Sequence, residues 1–113
     1  MNSNCKMIAK ENIIEKESAN DGQSVFLFYD DRYGLYTAFG WSAYYTTMVV
    51  DPILSYSDEL QMPVALIPRD LIRSLRQSLT KVEHEVKKYY VFRLKRKIGR
   101  AGYQKWVKDN FGI

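Results

Sequence analysis

Two apolar, aromatic runs stand close together in this chain, Val25-Phe26-Leu27-Phe28-Tyr29 and Leu35-Tyr36-Thr37-Ala38-Phe39, separated by Asp30-Asp31-Arg32-Tyr33-Gly34. Aromatic and β-branched residues fit a pleated surface, and acids with a glycine fit a tight reversal. The two runs read as a β-hairpin, which commits the chain to a sheet that other elements must cover. At 113 residues the chain is one domain. With 46% hydrophobic and 14% aromatic residues it is globular rather than disordered.

Residues 1–24 are polar and contain the turn formers Ser18-Ala19-Asn20-Asp21-Gly22. They are expected to form a partly flexible lead-in, with Met7, Ile8, Ile13 and Ile14 able to make one face of a short helix. Residues 25–113 are expected to form the domain. After the hairpin, Ser42 is a candidate N-cap for a helix through Tyr44, Tyr45 and Met48, and Asp51-Pro52 stops it. Residues 51–61 read as a loop. Met62–Ile67 reads as a short buried strand, with Pro63 placing it at a sheet edge or marking the strand entrance.

Pro68 and Asp70 suit the first turn of a helix. Leu71, Ile72, Leu75, Leu79, Val82 and Val86 recur at helical spacing, so an amphipathic helix through Val86 is expected, its outer face carrying Arg69, Arg73, Arg76 and Lys87. Tyr89–Leu94 has strand composition, but no Gly or Pro intervenes between the preceding helix and Gly99, so 87–98 is either strand or continued helix. Tyr103, Trp106, Val107 and Phe111 predict a last helix ending near Gly112. The fold class is α+β, a small mixed sheet with packed helices in the approximate order β-β-α-β-α-β-α.

Charge is divided unevenly. Residues 1–68 hold 4 bases and 9 acids, a balance of −5, and residues 69–113 hold 13 bases and 4 acids, a balance of +9. Such a field selects partners rather than folds. The partner class it favours is a polyanion: nucleic acid first, with DNA ahead of RNA, and an anionic membrane surface second. Arg93, Lys95, Arg96, Lys97, Arg100, Lys105 and Lys108 are interleaved with Tyr89, Tyr90, Tyr103 and Trp106. Cations neutralise phosphates, and exposed aromatics stack on unpaired bases. The candidate interface is therefore Arg93, Lys95, Arg96, Lys97, Arg100, Lys105 and Tyr103, extended by Arg73 and Arg76. The alternative is a protein-interaction or accessory module that binds an acidic partner or forms a homodimer.

No catalytic constellation is present, and a non-enzymatic chain without cofactor or metal is expected. His84 sits between two glutamates with no oriented partner, and Asp30-Asp31 serves the hairpin turn. The single Cys5 has no disulfide or metal-ligand partner at suitable spacing. Neither a signal peptide nor a membrane span is visible, so a cytoplasmic location with no membrane partner is expected.

Phe26-Leu27-Phe28, then Leu35-Tyr36-Thr37-Ala38-Phe39-Gly40-Trp41-Ser42-Ala43, then Pro63-Val64-Ala65-Leu66-Ile67-Pro68 with Leu71, Ile72 and Leu79 follow one another in an order and spacing that resembles the N-terminal, mismatch-recognising domain of the MutS DNA mismatch-repair family. The resemblance covers residues 25–82. It implies a free-standing domain of that fold. At the positions of the family's base-stacking Phe and hydrogen-bonding Glu this chain has Leu35 and Thr37, which the resemblance places on a hairpin edge. No phosphate-binding Gly-rich Lys-Ser/Thr loop is present. The resemblance thus implies a DNA-binding relative without the mismatch reader and without ATPase activity.

Overall fold

The computed structural model of the chain describes residues 10–30, 34–78, 81–86 and 89–113. Helix α1 (Lys10–Ser18) precedes the hairpin strands β1 (Ser24–Asp30) and β2 (Leu35–Phe39), and α2 (Gly40–Thr46) follows. Then come β3 (Ile53–Ser57), β4 (Met62–Ile67), α3 (Arg69–Ser78), β5 (Lys81–Val86), β6 (Tyr89–Arg93) and α4 (Tyr103–Phe111). The fold is α+β, with six strands in the order β3-β4-β2-β1-β6-β5. The reversal at 31–33, Met7, Ile8, Leu79 and Lys87 lie outside the described residues.

Every neighbouring pair in this sheet is antiparallel, which corrects the expected mixed sheet. The cause is a strand where a loop was expected. Ile53–Ser57 reverses the chain once more, so β4 returns antiparallel to β2. Leu54 and Tyr56 in β3 are half-buried, whereas Ile53 and Ser55 are exposed, the period-two alternation of a one-sided strand. Pro63 sits near the entrance of β4, but β4 is not an edge, since it lies between β3 and β2.

The amphipathic helix is also shorter than its pattern. It ends at Ser78, and 81–86 is strand. Val82 faces Phe92 in the ladder with β6, and Val86 faces Tyr89. Lys-Val-Glu-His-Glu-Val satisfies a period of two as well as of 3.6, and the strand-forming run 89–93 beside it supplies a backbone partner that a longer helix would have left unpaired. His84 is therefore on a strand, not a helix. Ser42 does not cap α2. Phe39 holds the extended N-cap position, and Ser42 lies in the first turn.

One face of the sheet carries the core. Val25 and Leu27 of β1, Ala38 of β2, Ala65 and Ile67 of β4 and Phe92 of β6 pack with Ala43 and Tyr45 of α2 and with Ile72 and Leu75 of α3. Tyr45, Phe92, Leu27, Ile67 and Leu75 are fully buried, each contributing roughly 1.5–3 kcal/mol. Helix α1 reaches the opposite face: the Lys16 ammonium lies 5.9 Å from the centre of the Phe26 ring, and Phe26 points away from Val25 and Leu27. Where a loosely docked lead-in was expected, Ile13 and Glu17 of α1 are buried.

Candidate nucleic-acid interface

The chain turns out of β6 into a loop pinned at both ends to the α1–β1 connection. The Leu94 N–H donates to Gln23 O at 2.9 Å, and the Ile98 and Gly99 N–H groups donate to Gly22 O at 2.8 and 3.0 Å. Gly22 has φ 87°, and a Cβ there would lie 2.9 Å from Gly99 Cα, so this close approach needs glycine. Between the anchors, Lys95, Arg96 and Lys97 are exposed. The loop therefore presents three consecutive cations from a fixed backbone.

A second basic group lies on α3. A helix advances about 100° per residue, so burying Leu75 and Ile72 turns Arg69, Arg73 and Arg76 to the outside. Together with Ile72 and Gln77 they line an open depression of about 350 Å³.

Other expected contact residues have work inside the fold. Arg93 donates from Nη1 to Asp21 Oδ2 and from Nη2 to Gln23 Oε1, both at 2.9 Å. Partial burial alone would raise the Asp21 pKa. Hydrogen bonds from the Gln23 N–H, Arg93 and Ser24 outweigh it and hold the carboxyl below its ordinary value. Arg100 donates from Nη2 to Ser18 O and Asn20 O at 3.1 Å each, and its guanidinium stacks 4.0 Å from the Trp41 ring centre. Lys105 pairs with Asp109 at 2.8 Å on the exposed side of α4.

Tyr103 is not an open stacking platform. Its ring lies 5.0 Å from Trp41, 6.0 Å from Tyr44 and 6.1 Å from Trp106. Burial, with the nearby Glu17 carboxylate adding to it, pushes its hydroxyl pKa up to about 12. The interleaved aromatics at 103 and 106 thus belong to a cluster between α2 and α4. The side chains of Tyr89 and Tyr90 lie outside the described residues.

The position matched to the family's carboxylate is likewise closed. Thr37 is buried, donates from Oγ1 to Phe28 O at 3.3 Å, and belongs to a strand flanked on both sides, not to an edge. Leu35, at the start of β2, is half-buried.

The sequence carried no signal for the roles of Arg93 and Arg100, whose hydrogen-bond partners lie 70–82 residues away. Among the described residues no three His, Cys, Asp or Glu side chains gather as a metal site, and no helix is long and apolar enough to cross a membrane. Comparison with protein-family models, curated proteins and solved structures finds no match for this chain.

Proposed function

We propose that this chain is a small, non-enzymatic nucleic-acid-binding domain that holds duplex DNA through its phosphates and acts in the reducing cytoplasm. The observation that carries this reading is the pinned loop with Lys95, Arg96 and Lys97 exposed in succession. A fixed backbone lowers the ordering cost of binding, and cations supply the sequence-independent part of affinity. Residues 24–78 run strand, strand, helix, strand, strand, helix, one strand more than the order expected from the sequence, so the support for a MutS-like domain is the sequence motifs themselves. The buried Thr37 fits a relative that does not read mismatches.

Because Tyr103 and Trp106 are occupied within the fold, the expected preference is for duplex over single strand. Fluorescence anisotropy with labelled single- and double-stranded oligonucleotides at low and moderate salt tests this. Salt-sensitive duplex binding is expected, and absence of binding at low salt overturns the proposal.

The edge strand β3, with Ile53 56% exposed, favours a second reading as a protein-interaction module. A concentration-dependent dimer in light scattering that persists at high salt, and is lost in Ile53→Lys, supports that reading.

A further inference from the structure

The C-terminal end of α3 and the basic loop lie toward the same end of the sheet. Ser78 ends α3 and Lys81 begins β5, three residues on, so their Cα atoms are no more than about 11 Å apart. Lys81 is the ladder partner of Arg93, across a spacing of about 5 Å, and Lys95 lies two residues past Arg93. The C-terminal end of α3 and the basic loop are thus within roughly 20–25 Å of each other. Along α3 itself, Arg69 to Arg76 covers about 10 Å of helix rise. A path over both groups is therefore no longer than about 35 Å, which lies within about one turn of a DNA duplex.

We infer that α3 and the loop 95–97 form one track for the phosphates of a nucleic-acid duplex, no more than about one helical turn long. This rests on the nucleic-acid reading above and adds the second contact and the footprint. One strand presents a phosphate about every 3.4 Å along the axis, so guanidiniums spread over 10 Å of helix meet neighbouring phosphates of the same strand. Arginine forks suit this because each bonds two phosphate oxygens at once.

An anionic membrane fits less well. Binding to a lipid surface is strengthened by apolar side chains that insert beside the cations. Among the described residues the exposed large apolar side chains are Ile14, Met48, Ile53 and Ile113. None lies on α3 or on the loop, and Ile53 is on the strand at the far edge of the sheet from β5.

The test uses the intact chain and two variants, Arg69→Gln/Arg73→Gln and Lys95→Gln/Arg96→Gln/Lys97→Gln, all exposed positions, with folding checked by circular dichroism. Affinity for duplexes of about half a turn and about one turn is titrated against salt. For the longer duplex the expected loss in the slope of log K against log salt is about 1.8 for the double variant and about 2.7 for the triple. The parent is expected to gain affinity steeply between the two lengths. If the double variant keeps the parental slope while the triple variant loses its own, the α3 contact is wrong and the nucleic-acid reading stands. If the parent binds neither duplex at low salt, the underlying reading fails. Binding of phosphatidylserine vesicles that exceeds duplex binding and is lost in the double variant assigns the track to lipid and overturns the inference.

Discussion

The Glu17 carboxylate grips Ser42 twice: Oε1 accepts the Ser42 N–H at 3.0 Å and Oε2 accepts the Ser42 hydroxyl at 2.5 Å. Ser42 Oγ in turn accepts the Phe26 N–H at 3.0 Å, so α1, α2 and β1 converge on one acid that is 1% exposed. Burial outweighs these hydrogen bonds and raises the Glu17 pKa from 4.5 to about 7.

A raised pKa means that the folded protein holds the proton more tightly than the unfolded chain. The stabilisation is complete below about pH 4.5 and is lost as pH rises to about 7. The gap between those values is worth about 3 kcal/mol at most. Urea melts at pH 5 and pH 8 should show the parent losing stability by up to that amount relative to Glu17→Gln, whose neutral side chain buries no charge and can still accept the Ser42 N–H through its amide oxygen. A pH-independent difference between the two proteins refutes the account.

Gly102 is fixed by a neighbour. A Cβ there would collide with the Tyr44 hydroxyl. Gly102→Ala is expected to destabilise by about 1–3 kcal/mol as the aromatic cluster shifts. Tyr44→Phe in the same chain should recover part of the loss, and a double-mutant cycle by urea denaturation measures the coupling.

Arg93 and Arg100 should act on stability more than on binding. The Arg93–Asp21 pair is partly exposed, so Arg93→Gln is expected to cost less than about 1 kcal/mol. Arg100→Ala removes two carbonyl contacts and a ring contact and should cost about 1–2 kcal/mol. In duplex titrations neither variant should reduce the salt slope as the loop triple variant does.

Mismatch discrimination should be absent. Leu35 has no stacking face and Thr37 is inside the sheet, so binding to a G·T duplex and to its perfect counterpart should agree within about twofold, or about 0.5 kcal/mol. A competition titration checks this, and tenfold tighter mismatch binding contradicts it.

Local patterns legible in the sequence were those with one reading. The hairpin runs, the start of α3 at its Pro68 entry and the helix ending at Gly112 follow from residues near each place. Leu79, Val82 and Val86 were ambiguous, because alternate polar residues made a strand pattern inside a helical one. The strand at 53–57 was hidden because Ser55 and Ser57 interrupt its apolar residues, leaving too short a run to stand out. The basic loop was visible as charge. Its division into presented cations and internal fasteners was not, because Arg93 and Arg100 find their partners only once β1 and β6 are side by side.

That pairing also sets an order of events. The central strand β1 gains β2 from a few residues away, but its other neighbour is β6, more than 60 residues later in the chain. Until synthesis reaches residue 93, one side of Val25–Tyr29 has no ladder to join, and an apolar strand in that state is open to pairing with other chains. With β1 and β6 joined from opposite ends of the domain, refolding should be slower than in an all-helical domain built from local contacts. The vulnerability of this molecule is therefore kinetic: a ribosome paused between β2 and β6 leaves its stickiest strand half-covered.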